Sequence, residues 1–261
     1  MSDDISHILG AWQFNPDQPI VRIIQGSDGK DKLQMRVDMG ILQMELSGRP
    51  DGQRPHGCES LLDWLQARQR AYEDSHPDSA PFLLDEDACT QLWREGVQYY
   101  HRYLAFWMLK LYELCARDTA RSLRLFNFVR EHAPEDHIKM HFEQWRPYVI
   151  MMHTRAVATP LVDADRISKA LETIDSGIEQ IQEFLDYYDL NEHQQPCQEL
   201  QNLQRWRDEI LADKELAADL EPQTRIELLR RQLRGAIELE EFEQAARLRD
   251  EIRRLSQHDP P

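Results

Sequence analysis

Apolar and polar positions change rhythm along the chain. Leu33, Met35, Val37, Met39 and Ile41 alternate with Gln34, Arg36, Asp38 and Gly40, the period of a strand with one buried face. The phase flips at Ile41-Leu42 and continues through Met44 and Leu46, which predicts a bulge or turn near Gly40. Ile20–Gln25 is a β-branched run followed by the turn former Gly26-Ser27-Asp28-Gly29. Together these segments predict a small antiparallel sheet of two or three strands. From Glu59 onward the spacing becomes the three-and-four of helices. It predicts an amphipathic helix over Glu59–Tyr72, and a long one from Asp85 or Asp87 to about Ala116. The long helix carries Leu92, Trp93, Val97, Tyr100, Leu104, Trp107, Met108, Leu111 and Leu114 on one broad stripe. Asp118 reads as the cap of a helix over Thr119–His132. Further helices are expected from Arg146 or Pro147 to about Thr159, from Asp165 to Tyr188, and from Cys197 to about Asp213. Ile167, Leu171, Ile174, Ile178, Ile181 and Leu185 form a seam suited to nearly parallel packing against a neighbouring helix.

Two stretches interrupt these patterns. Ser47 to Gly57 contains Pro-Asp-Gly and two Arg-Pro steps, through which no helix or strand runs. Residues 74–84 (DSHPDSAPFLL) form a second break. The expected organisation is a small α+β domain over 1–75, a helical array over 85–215, and a helical segment over 222–257. The array has the look of stacked helical hairpins of the tetratricopeptide kind, without that repeat's residue signature. The fold class is therefore mainly α, with a small N-terminal antiparallel β element.

The tail repeats one helical stripe twice. Ile226, Leu229, Leu233 and Ala236/Ile237 are followed by Phe242, Ala245, Leu248, Ile252 and Leu255, with Glu240-Glu241 between the copies. That pattern predicts an antiparallel helical hairpin. Each helix is only about four turns long, which is marginal in water alone. Two helices also cannot enclose a core, so the hairpin needs a third surface, on this chain or on a partner.

The run Leu239-x-x-Phe242-Glu243-x-Ala245-Ala246-x-Leu248-Arg249-Asp250-x-Ile252-x-x-Leu255 resembles the UVR (UvrB/UvrC) motif. Gly235 departs from that pattern and costs its helix up to ~1 kcal/mol relative to Ala. The resemblance implies a protein-docking hairpin whose partner contacts fall on Leu239, Phe242, Glu243, Ala245, Ala246, Leu248, Arg249, Asp250 and Ile252. It also implies partner classes: excinuclease subunits, or Clp-type ATPases and the protein-arginine kinase that works with them. A homodimer through self-paired hairpins is equally permitted. Val21-Arg22-x-Ile24, Gln34-Met35-Arg36-Val37-Asp38-Met39-Gly40, Gly48-Arg49-Pro50-Asp51-Gly52 and Arg54-Pro55-His56-Gly57 are similar to a bacterial family of UVR-motif proteins with no assigned activity.

Charge narrows the partners. The 261 residues hold 31 basic and 47 acidic side chains, net −16, so direct nucleic-acid binding is not expected. The excess lies before the tail, because Pro222–Pro261 has eight Arg against eight acidic residues. Those arginines are solvated helix flanks or an electrostatic face for an acidic partner. No run is long enough to span a bilayer. The start, MSDDISHILGAW, lacks a basic segment and an apolar core, so no secretory signal is expected. Four scattered cysteines fit reduced thiols in the cytoplasm.

Candidate chemistry is sparse. There is no phosphate-binding Gly-rich loop, no dinucleotide fingerprint and no Cys-x-x-Cys. No catalytic residue, metal or cofactor is expected, and the primary reading is a non-enzymatic adaptor. His137 and His141 stand four apart but lack the glutamate a zincin needs. The alternative is a small-ligand or anion-binding protein, or an enzyme. Its site would lie around Arg49, Asp51, Arg54 and His56 and the aromatic helix Tyr99-Tyr100-His101-Arg102-Tyr103.

Overall fold

The computed structural model describes residues 4–15, 17, 20–78, 80–190 and 196–212, and in the tail 226, 229, 230, 233, 234, 246, 248–250 and 252–254. Its contacts divide the chain into two compact units, residues 1–157 and 158–261.

In the first unit a short helix, α1 (Ser6–Ala11), precedes three strands: β1 (Ile20–Gln25), β2 (Asp31–Val37) and β3 (Gly40–Glu45). They pair antiparallel in the order β1-β2-β3. Val37 pairs with Gly40, so the phase flip is a two-residue turn at Asp38-Met39 rather than a bulge. The expected one-sided burial of β2 is corrected: Lys32, Gln34 and Arg36 are buried as well as Leu33 and Met35. The reason is lateral pairing of the polar row. Gln34 accepts from Arg22 Nε at 2.9 Å and donates to Gln43 at 2.9 Å. Lys32 bridges Asp28 and Glu45. Arg36 donates to the Trp12 and Asp38 carbonyls, and Arg22 lies 3.9 Å over the Trp12 ring.

A 3-10 turn at Pro55–Gly57 leads into α2 (Leu61–Ser75), and then come α3 (Glu86–Met108), α4 (Tyr112–His132), α5 (Asp136–Glu143) and α6 (Arg146–Asp163). Ser60 caps α2 by accepting from the Asp63 amide at 3.2 Å, and Asp85 caps α3 through the Ala88 amide at 2.7 Å. The core of this unit takes Leu62 and Leu65 from α2, Leu92 from α3, Leu125 and Val129 from α4, and Phe142 from α5. Phe82 and Leu84 enter the same core, and the Leu84 amide bonds the His132 carbonyl at 2.8 Å.

Two helix boundaries differ from expectation. The long helix does not reach Ala116. It ends at Met108, because Lys110 takes a left-handed φ of 57° and the Leu111 and Lys110 amides close back on Phe106 and Trp107. Asp118 is consequently no cap; it sits inside α4, buried against Arg102. The helix expected to stop at Thr159 runs on through Pro160 to Asp163, losing one amide donor at the proline.

In the second unit α7 (Ile167–Tyr187) pairs with α8 (Gln198–Ala212). The seam is buried at Ile167, Leu171, Ile174, Ile178 and Ile181, but its last layer is Phe184 rather than Leu185. Leu203, Ile210 and Leu211 are the buried apolar positions of α8, and an Arg207–Asp175 ion pair joins the two helices.

Candidate functional site

Glu95 is the centre of a polar cluster in the first unit. Its side chain is 0% exposed and accepts from the Leu61 amide at 2.8 Å and the Leu62 amide at 3.2 Å. A carboxylate there complements the positive N-terminus of α2. Arg121 pairs with Glu95, and Arg49 Nε lies 3.4 Å from it. Two turns along α3, Arg102 forms a fork to Asp118, at 2.6 and 3.0 Å. Its remaining nitrogen donates to the Glu45 and Gly48 carbonyls, at 2.9 and 2.8 Å. Arg117 adds a bond to the Leu46 carbonyl at 2.8 Å, and the Tyr99 hydroxyl donates to Gly48 at 3.2 Å. Burial raises the Tyr99 phenol, while Arg121 and Arg102 pull it the other way. These bonds fasten the end of the sheet and its loop to α3 and α4.

The loop residues proposed as a polar site serve mainly this fastening. Arg49 is held between Asp51 at 3.3 Å and Glu95. Asp51 accepts from Gln98 at 3.1 Å and from the Gln53 amide at 3.0 Å. His56, at a left-handed φ of 52°, stacks on Trp64 with ring centres 3.7 Å apart. Arg54 is exposed; its carbonyl accepts from the Gly57 amide at 3.0 Å, and its side chain makes no ion pair or hydrogen bond among the described residues. The structure thus brings Arg49 and Asp51 together and leaves Arg54 and His56 outside. Glu95 and the pairing of Arg102 with Asp118 leave no local signal in the sequence, since the partners are distant along the chain.

The aromatic helix uses a different face. Glu95, Gln98, Tyr99 and Arg102 turn toward the loop, whereas Trp93, Val97, Tyr100 and Tyr103 line an apolar cavity of about 230 Å³. At 3.6 residues per turn Trp93, Val97 and Tyr100 lie across α3 from Glu95 and Arg102, and Tyr103 stands at the border between the two faces. The loop thus meets Tyr99 and Arg102 of the aromatic run, whereas Tyr100, His101 and Tyr103 line the cavity. Burial lowers the His101 imidazole on the cavity wall. It pushes the Cys89 and Cys115 thiols up to about 11 and about 12, which leaves both protonated near neutral pH. His137 and His141 line a shallow cleft with Cys89 and Glu86. Among the described residues no group of three or more His, Cys, Asp or Glu is placed to hold a metal ion. Nor is any helix among them long and apolar enough to cross a membrane.

In the tail, every described position is helical. Leu229 is buried, Ile226, Leu233, Leu248 and Ile252 are half-buried, and Arg230, Arg234, Ala246, Arg249 and Asp250 are exposed. That division follows the amphipathic stripe. Arg230 and Arg234 line a cleft with Asp175, Gln182, Gln204 and Arg207 of α7 and α8. Leu239, Phe242, Glu243 and Ala245, and the turn expected between the two helices, lie outside the described residues.

No curated protein and no solved structure matches the chain. Over residues 223–257 the chain matches the family model of the UvrB/uvrC motif, and it carries a UVR motif there.

Proposed function

We propose that this protein is a non-enzymatic cytoplasmic adaptor that docks a partner protein through its UVR tail. The match over residues 223–257 carries the reading. The tail's exposed arginines and half-buried Leu248 and Ile252 support it, because they offer charge and apolar surface on one helical segment. The acidic body argues against a nucleic-acid partner. Excinuclease subunits and Clp-type ATPases or their regulators are the partner classes drawn from the motif.

The test is affinity capture from native extract. The full chain is compared with a chain ending at residue 221, and the recovered proteins are identified and reconstituted in pure form. The reading expects an excinuclease or Clp-type protein to be recovered by the full chain alone. Equal recovery by both forms would contradict it.

A further inference from the structure

The cavity on the far side of α3 from the polar cluster has no place in the adaptor reading. Trp93, Val97 and Tyr103 of α3, Phe142 of α5 and Trp145 and Tyr148 beside α6 contribute most of its aromatic and apolar wall. Gly96 opens its floor, where an added Cβ would stand 3.1 Å from Leu125 Cδ2. Trp145 and Tyr100, 47% and 38% exposed, stand at the rim. The space measures about 230 Å³ and is walled almost wholly by apolar and aromatic side chains.

Size, charge and the polar groups of the wall define what fits. Benzene occupies an apolar cavity of about 150 Å³, so this volume suits two fused rings. A helix of about 10–12 Å diameter is far too wide. No Asp, Glu, Lys or Arg lines the wall, and a charged ligand would lose its hydration with no counter-charge in return. Ser122 already donates to the Asp118 carbonyl at 3.0 Å. Tyr100, His101 and Tyr103 also bring polar atoms to the wall, and of these Tyr103 is the most enclosed, 2% exposed, with no hydrogen bond from its hydroxyl to another described residue.

We infer that this cavity binds a neutral, flat molecule of about two fused rings, with one polar group that hydrogen-bonds the Tyr103 hydroxyl. The site is independent of the tail, so its test leaves the adaptor reading untouched.

The experiment titrates the full chain with 2-naphthol, naphthalene and naphthalene-2-sulfonate, read by ligand-observed NMR and by the shift in melting temperature. Both neutral probes are expected to bind, with 2-naphthol about two- to tenfold tighter, the worth of one hydrogen bond. Tyr103→Phe keeps the ring's volume; it should abolish that preference while naphthalene binding persists. Val97→Phe should fill the cavity and abolish both, in a chain whose circular dichroism matches the parent. The sulfonate should not bind. Absence of binding by both neutral probes overturns the inference. So does equal binding of the sulfonate, or a 2-naphthol preference that survives Tyr103→Phe.

Discussion

Arg102 bonds at once to a buried carboxylate and to two carbonyls from the end of the sheet. Removing it leaves Asp118, 1% exposed, without its main counter-charge. Arg102→Ala should therefore cost about 3–5 kcal/mol, seen as a lower urea midpoint. Arg102→Lys should also destabilise, because an ammonium cannot reproduce the fork together with both carbonyl bonds. Arg54→Ala, at an exposed loop position, should stay within about 0.5 kcal/mol of the parent. His153 sets a pH dependence. Burial lowers its imidazole below the ordinary 6.5, partly offset by the bond to the Ala116 carbonyl, and burial also lowers His101. The folded state thus takes up protons less readily than the unfolded chain. The stability tied to both histidines is present above about pH 6.5 and lost as pH falls through their lowered values. His153→Gln should flatten the drop in melting temperature between pH 7.5 and 5.5; an unchanged drop would refute this. None of these roles was legible locally. Asp118 opens a helical pattern in sequence and reads as a cap, while its partner Arg102 lies 16 residues upstream.

Helix ends show where the sequence speaks and where it does not. Asp85 announces the start of α3 by residue type and accepts the Ala88 amide, whereas the pattern starts α2 at Glu59 and the helix begins at Leu61, capped by Ser60. The ends are quieter. Lys110, Asp165 and Asp189 each close a helix at φ of 57°, 56° and 53°, with the next residue's amide bonding back across the last turn. Glycine is the usual signal for that closure; here lysine and aspartate hold it, so the end of α3 was read through. An L-residue in this region loses roughly 1–2 kcal/mol, and glycine's extra freedom in the unfolded chain returns part of that. Lys110→Gly should accordingly stabilise by about 0.5–1 kcal/mol, measurable as a raised melting temperature; a destabilised variant would contradict the assignment. The strands and the α7 seam were legible because alternation and 4-3 spacing are local signals. The polar row of β2 was not, since its burial depends on side chains reaching across from β1 and β3.

At the scale of the molecule, an acidic body with a sheet fastened to its helices carries a charge-balanced tail matching the UVR motif. The tail's stripe and motif could be read directly from Ile226 to Leu255. The cavity could not, because Trp93, Phe142 and Trp145 approach Tyr103 only through the packing of α3 to α6. Docking by the tail is the central claim, and Leu248 and Ile252 are the described apolar residues through which it can be tested. The decisive measurement is the dissociation constant of the captured partner for the parent chain and for a Leu248→Asp, Ile252→Asp variant, with the melting temperature of each. Two charges on a docking stripe should weaken binding at least about tenfold while the body melts as before. An affinity unchanged within a factor of about two would show that the partner is held elsewhere.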